Sequence, residues 1–277
     1  MNLGSNEIIH GDKFQQFCDV CVNEQNLTID YEKLVKQDCV IFCKTDFIPQ
    51  LFEVLYCIKD RNYILITHNS DYPIDEIRYY GKPASIKRWY ALNVEVEKPD
   101  LIPIPSGMER PLGCGYSSDD SVLLKRLQQK REYHNLVYMN YNENNNLQER
   151  KNVTEYFKEK SWVTYKQHGI SFPDYIDNCY NHKFVVSPPG NGIDCHRTWE
   201  TLYLGGIPIV KSSVLIDSFR SLPMLIVEDY EILTEELLNI IWNEFQERDF
   251  DYSKMTLTYW KNRIAQDKQY YLTDGGV

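Results

Sequence analysis

The residues best suited to chemistry lie within Lys183 to Lys211. An apolar run is followed there by a Pro/Gly loop that contains four residues of interest: Ser187, Gly190, Asn191 and Gly192. Where a strand turns into a helix, bare backbone N–H groups and the positive helix end attract anions, and glycine lets a ligand come close to the backbone. The pattern therefore predicts an anion-binding loop. Pro188 and Pro189 are equally compatible with a rigid turn that binds nothing.

Three polar residues begin the helix predicted after this loop. His196, Arg197 and Glu200 fall on the side opposite the apolar residues Trp199 and Leu202. Arginine can bind two phosphate oxygens at once, and a carboxylate one turn further along can accept hydrogen bonds from ribose hydroxyls. Together with the loop, these residues predict a pocket for a nucleoside diphosphate. The alternative is a solvated helix face with an ion pair between Arg197 and Glu200.

Strand and helix patterns alternate along the whole chain. The predicted strands are Cys39 to Lys44, Tyr63 to Thr67, Ser85 to Leu92, Leu101 to Ile104, Leu136 to Tyr141, Trp162 to Tyr165, Phe184 to Ser187, Ile207 to Val210 and Met224 to Val227. Several of these runs are continuously apolar, which is typical of parallel strands covered on both faces. The alternation predicts an α/β fold with parallel sheets.

The length of 277 residues suggests about two domains. Glycines and serines punctuate the chain between Gly113 and Asn135, so we expect one domain over residues 1–130 and a second over residues 131–250. The tail over residues 250–277 is amphipathic. It predicts either a closing helix that packs back on the first domain or a solvated end.

The stretch from Phe184 to Gly192, the run His196 to Glu200 and the run Gly205 to Ile209 resemble the signature of exostosin-like glycosyltransferases, glycosyltransferase family 47. Weaker similarity continues upstream, at Ile66 to Asp71, Leu101 to Gly107 and Asn140 to Arg150. In its short length and lack of a membrane anchor, the chain resembles the family members of large algal viruses and of bacteria. The resemblance implies a GT-B fold, in which two Rossmann-like domains face a central cleft. It also implies inverting transfer from a UDP-sugar to a glycan hydroxyl.

Site roles follow from that resemblance, residue by residue. It assigns the donor diphosphate to the loop from Ser187 to Gly192 and to Arg197, and the ribose to Glu200. It implies that Arg150 is a second phosphate ligand and that Tyr165 flanks the uracil. Xylose is the sugar that we expect. The alternatives are a GDP-sugar transferase of the fucosyl type on the same fold and a nucleotide-sugar binding module without turnover.

The mechanism requires a base beside the acceptor hydroxyl and positive charge on the leaving diphosphate. In GT-B enzymes the acceptor lies on the first domain, so the candidates follow its predicted strands: Asp46, His68 and Asp71. Asp71 is favoured because the resemblance implies an acidic residue in the loop after that strand. Each of the three is also an ordinary turn or capping residue.

Charge and composition limit the remaining choices. A net charge of −10 argues against nucleic acid as a partner. The N-terminus lacks the apolar core of a signal peptide and no run suits a membrane span, so a soluble cytoplasmic protein is expected. Asp119 and Asp120 indicate a helix cap rather than a metal-binding DxD motif. We therefore expect no metal or cofactor beyond the sugar donor, and the alternative is a metalloenzyme built on Cys18, Cys21 and His68.

Overall fold

The computed structural model describes residues 4–109, 120–129 and 131–273, which contain two parallel β-sheets of five strands each. The first sheet consists of β1 (Val20–Val22), β2 (Cys39–Lys44), β3 (Tyr63–His68), β4 (Ile86–Ala91) and β5 (Leu101–Pro103). The second sheet consists of β6 (Asn135–Met139), β7 (Val163–Tyr165), β8 (His182–Val186), β9 (Ile207–Lys211) and β10 (Leu225–Val227). The predicted α/β fold with parallel sheets is confirmed, and it is consistent with a two-domain Rossmann-like arrangement.

Helices connect the strands. In the described residues they are α1 (Gly11–Phe14), α2 (Tyr31–Lys36), α3 (Ile48–Tyr56), α4 (Glu76–Tyr80), α5 (Asp120–Leu127), α6 (Leu147–Phe157), α7 (Phe172–Asn181), α8 (His196–Tyr203), α9 (Val214–Asp217), α10 (Glu235–Glu247) and α11 (Leu257–Lys268). None of them is long and apolar enough to cross a membrane. Gly113 and Asp119, on which the predicted boundary and helix cap depend, lie outside the described residues.

The two sheets differ in strand order. The first runs β1-β2-β3-β4-β5, so each strand pairs with its neighbours in sequence. The second runs β10-β9-β8-β6-β7. The chain adds β7 on one side of β6 and then returns to place β8, β9 and β10 on the other side, so the strand order reverses between the neighbours β6 and β8. Such a reversal opens a crevice at the carboxyl ends of the two central strands, where open α/β sheets bind ligands.

Alternation along β2 explains how the first sheet is covered. Ile41 and Cys43 face a core built with helices α2 and α3. Val40 and Phe42 face the opposite way, into a core that also contains residues of the second half of the chain, such as Trp199. Because a strand directs successive side chains to opposite faces, both faces of β2 are apolar and buried. This face of the first sheet therefore belongs to a core that continues into the second half.

Helix α11 also closes on the first sheet. In helix α11, Trp260 and Ile264 belong to the core shared by the two halves. Asp267 of the same helix forms an ion pair with Arg88 of β4 at 3.0 Å and accepts a hydrogen bond from Tyr90 of β4. The tail is thus a helix packed against the sheet formed by the N-terminal part of the chain.

Candidate functional site

A cleft of about 780 Å³ lies between the two sheets. Its walls are formed by residues that follow the carboxyl ends of strands from both halves. We call the described residues up to 109 the first half and residues 131–250 the second half. From the first half the wall includes Asp46 after β2 and Asn69 after β3, and from the second half it includes Asn140 after β6 and Gly190 after β8. The cleft therefore lies at the switch point between β6 and β8.

The loop after β8 is fixed by Arg150 of helix α6. Its guanidinium donates to the carbonyl oxygens of Pro189 at 3.0 Å, Asn142 at 2.8 Å and Pro188 at 3.3 Å. A Cβ on Gly190 would lie 2.6 Å from the nearer nitrogen of this guanidinium, so a larger residue there would displace the guanidinium. Arg150 lines the cleft, but its hydrogen bonds give it the role of holding the loop rather than that of an open anion ligand.

Helix α8 points its N-terminus into the cleft. Cys195, His196 and Arg197 all line the cavity. The N-cap residue, Cys195, makes no side-chain hydrogen bond to the first turn of the helix. The first backbone N–H groups of a helix have no partner within the helix, and the helix dipole gives this end a partial positive charge. This end of α8 is therefore suited to an anion.

Arg197 supplies a full positive charge at the same place. Its Nε is buried and has no hydrogen-bond partner among the described residues. The guanidinium carbon lies 5.5 Å from the ring centroid of Tyr141. The expected alternative, a surface ion pair with Glu200, does not form within 4.0 Å between these two described residues. Because a buried charged donor is costly to leave unpaired, this geometry favours an anionic ligand in the cleft.

Glu200 lies one helical turn further along α8 and is only 4% exposed, yet it lines the cleft. Tyr175 of helix α7 donates its hydroxyl to Glu200 Oε2 at 2.8 Å. Burial raises the pKa of the Glu200 carboxyl, and the charge of His196, the Tyr175 hydroxyl and the charge of Arg197 counteract part of that rise. Glu200 is thus a fixed hydrogen-bonding group within the second-half wall.

His196 connects the two halves across the cleft. Its Nδ1–H donates to the carbonyl oxygen of Gly107 at 2.8 Å, and its Nε2 lies 3.3 Å from a carboxylate oxygen of Glu109. Gly107 has φ of +65°, and a Cβ there would lie 2.1 Å from the carbonyl oxygen of Ile9. His196 therefore positions the helix against the first half, and it also lines the cavity.

Two of the predicted donor-binding residues do not line the cleft. Ser187 is buried, its hydroxyl is hydrogen-bonded to that of Thr198 at 2.8 Å, and its backbone N–H donates to Ile209. Tyr165 packs against the core on the outer face of the second sheet. The remaining predicted donor-binding residues do line the cleft, namely Arg150, Gly190, Asn191, Gly192, His196, Arg197 and Glu200.

The three candidate bases follow β2 and β3, and all three line the cleft. Asp71 is exposed to the cavity and has no hydrogen bond or ion pair with any described residue. Asp46 Oδ2 lies 3.8 Å from Lys44 Nζ. Of the two carboxylates, that of Asp71 is freer to accept a proton from a ligand.

His68 is held too tightly to serve as a base. It is 2% exposed; its Nε2–H donates to the carbonyl oxygen of Pro105 at 3.0 Å, and its Nδ1 accepts from the backbone N–H of Asn69 at 2.7 Å. Burial lowers the pKa of His68 to about 4. A neutral imidazole with both nitrogens bonded supports the loop after β3 rather than taking a proton.

Asp194 was not among the residues predicted from the sequence, yet it joins the two halves behind the cleft. Its carboxylate accepts from the backbone N–H of Ser106 at 2.8 Å, the indole N–H of Trp199 at 2.7 Å and the backbone N–H of Cys195 at 2.8 Å. Its own N–H donates to the side chain of Asn93, which has φ of +53°. The only signal in the sequence is an acidic residue just before the helix.

An apolar wall of the second half was also not predicted. Ile170, Phe172 and Tyr175 line the cleft beside Glu200. The loop that leads to them is fixed by Asn140, whose side-chain amide donates to the carbonyl oxygens of Lys166 and Gln167. Flat apolar walls of this kind suit a nucleobase or the carbon face of a sugar.

Among the described residues, no three His, Cys, Asp or Glu side chains converge on a point where a metal ion could be held, and this includes Cys18, Cys21 and His68. Among the described residues, the second-half wall therefore presents the Arg197 guanidinium with its unpartnered Nε, the uncapped start of α8 and an apolar surface, and the first-half wall presents a set of carboxylates. Compared with models of known protein families and with curated proteins, the chain has no significant match to either.

Proposed function

We propose that this protein is a glycosyltransferase of GT-B type that transfers a sugar from a nucleoside diphosphate sugar to a hydroxyl group. The observation that carries the proposal is Arg197. Its guanidinium lies in the cleft at the switch point of the second sheet, beside the uncapped start of α8, with its buried Nε unpartnered among the described residues. A diphosphate supplies the anionic oxygens that this combination lacks.

The rest of the donor fits the second-half wall. Glu200 accepts hydrogen bonds from the ribose, and Phe172 and Ile170 contact the base or the sugar ring. Arg150 holds the loop that faces the diphosphate, so its effect on the donor is indirect. Uridine is the expected base, carried over from the resemblance to exostosin-like enzymes. Xylose is the expected sugar because the sequence offers no identifiable arginine beyond Arg197 for the carboxylate of a uronate.

Transfer then proceeds by a single displacement. The Asp71 carboxylate accepts the proton of the acceptor hydroxyl while that oxygen forms a bond to the anomeric carbon. The bond from this carbon to the diphosphate oxygen breaks, and the diphosphate leaves with the electron pair. Arg197 and the N–H groups at the start of α8 stabilise the charge on the leaving group, which is the electrostatic contribution that such sites supply. The sugar is delivered with inverted configuration.

The first test is transfer itself. The purified protein is incubated with UDP-xylose, other UDP-sugars and GDP-fucose, each with and without glycan acceptors, and released UDP or GDP is quantified. The variant Asp71→Asn is compared with Asp249→Asn, an exposed residue away from the cleft. We expect Asp71→Asn to bind UDP normally and to lose transfer by at least about 100-fold, the usual contribution of a general base.

The outcomes separate the alternatives. A rise in the Tm of the protein with GDP and not with UDP would support the fucosyl-type transferase. Binding of UDP without turnover of any donor by the wild type would support a binding module. Equal transfer by Asp71→Asn and wild type would remove Asp71 as the base.

A further inference from the structure

The first-half wall of the cleft has a composition that selects its ligand. From the geometry we infer that this wall is an acceptor subsite for an uncharged sugar chain, stacked on Tyr72, and that it rejects acceptors with carboxylate or sulfate groups. This inference rests on the proposed function because it identifies the class of acceptor. It depends on different residues from those that bind the donor.

The first-half wall of the cleft carries an excess of negative charge. Among the described first-half residues that line the cleft, four carry carboxylates and one carries an amine: Glu24, Asp46, Asp71, Glu109 and Lys44. The wall is therefore acidic, whereas Arg197 lies on the second half. A negatively charged acceptor would meet carboxylates on the side where it has to bind. Specificity often comes from such repulsion of the wrong partner.

Lys44, the one lysine among the described residues of this wall, is already paired with carboxylates. Lys44 Nζ lies 3.1 Å from a Glu24 oxygen and 3.8 Å from Asp46 Oδ2, so its charge is already neutralised. Asp46 Oδ2 is shielded from solvent and has no hydrogen-bond partner among the described residues. The cluster of Lys44, Glu24 and Asp46 thus offers donors and acceptors at one place, as a hydroxyl requires. It offers no unpaired cation for an anionic sugar.

Tyr72 provides the apolar contact. It lines the cleft and is 53% exposed, so much of its side chain is available to a ligand. The guanidinium of Arg78 lies 5.2 Å from its ring centroid, and Arg78 is in turn paired with Asp75 at 3.3 Å. The ring is therefore supported from one side and open on the other. A supported aromatic face suits the C–H face of a sugar ring.

The experiment uses the full chain and measures binding and transfer separately. Xylohexaose, cellohexaose and maltohexaose are the neutral probes, and hexagalacturonate is the anionic probe. Binding is measured by calorimetry, and transfer from the donor is measured through kcat/KM. We expect the wild type to prefer at least one neutral probe over hexagalacturonate by about tenfold or more, the size of one close charge repulsion near a protein surface.

Two variants and two controls test the residues. Tyr72→Ala should weaken binding of the preferred neutral probe by about tenfold, the loss expected when roughly 60 Å² of ring face no longer covers the sugar. Its control is Tyr31→Ala, because Tyr31 is 52% exposed but lies outside the cleft. Glu24→Gln should reduce the preference for neutral over anionic probes, because Lys44 is then less neutralised. Glu53→Gln, on the exposed face of α3, should leave that preference unchanged.

The inference and the proposed function fail in different ways. Binding of a neutral probe that depends on Tyr72, without transfer of sugar, would support the subsite and overturn the transferase. Transfer that is indifferent to acceptor charge and to Tyr72→Ala would support the transferase and overturn the subsite. Absence of binding by every neutral probe would also overturn the subsite.

Discussion

Replacement of Asp194 by asparagine tests how the cleft is held together. The carboxylate accepts three hydrogen bonds, two of them at Oδ2, from Ser106 and Trp199, and one at Oδ1, from Cys195. An asparagine can keep its oxygen at the Oδ2 position, but its NH₂ group then faces the N–H of Cys195. Asp194→Asn therefore removes one hydrogen bond and sets two donors against each other.

The magnitude follows from these contacts. A hydrogen bond to a charged group contributes about 1.5–3 kcal/mol, and an unsatisfied buried donor costs about 1–3 kcal/mol. Burial raises the pKa of Asp194, although its N–H donors counteract this, so removal of the charge recovers part of the desolvation cost. We expect a net loss of about 1–3 kcal/mol in the free energy of unfolding. At about 3 °C per kcal/mol for a chain of this size, the Tm should fall by roughly 3–9 °C.

The assay is thermal unfolding followed by circular dichroism, together with UDP binding by calorimetry. Because Asp194 links the start of α8 to the first half, the variant should bind UDP more weakly as well as unfold earlier. Asp249→Asn is the control and should stay within about 0.5 kcal/mol of the wild type, as exposed substitutions do. A Tm within about 1 °C of that of the wild type, together with unchanged UDP affinity, would refute this role of Asp194.

Two further predictions concern the wall of the cleft. Because the pKa of His68 is lowered to about 4 in the folded protein, the unfolded chain takes up a proton on this imidazole at a higher pH than the folded chain does. The free energy of unfolding should therefore fall by up to about 3 kcal/mol as the pH drops from about 6.5 toward 4. His68→Gln should show a shallower acid slope in urea unfolding, and equal slopes would contradict this. A Cβ on Gly192 would lie 2.7 Å from Asn93 Nδ2, so Gly192→Ala should lower the Tm and weaken UDP binding, whereas Gly4→Ala, which meets nothing within 4 Å, should do neither.

Local patterns predicted much of the fold. The strand Cys39–Lys44 was predicted with its observed bounds. It is a largely apolar run, the pattern typical of a parallel strand that is covered on both faces. Strand β1 was not among the predicted strands, and its three residues pair with β2 at the edge of the described sheet. The parallel pairing followed from the alternation of strands and helices.

The site was only partly predictable because side-chain direction and long-range contacts decide it. Tyr165 was expected at the cleft, but in β7 it shares the face of Val163, which packs into the second-sheet core. His68 has the chemistry of a base, but Pro105, 37 residues away, binds one of its nitrogens. Asp194 finds its first-half partner, Ser106, 88 residues upstream. No local pattern indicates such contacts.

The most direct test of the account is the affinity of UDP for the wild type and for Arg197→Gln, measured by calorimetry at one ionic strength. Arg197 carries the proposed donor site, because its charge faces the cleft and its buried Nε has no partner among the described residues. Loss of a charged hydrogen bond to the diphosphate should raise the Kd by at least about tenfold. Equal UDP affinity in the two proteins, or no UDP binding by the wild type, would contradict the central claim.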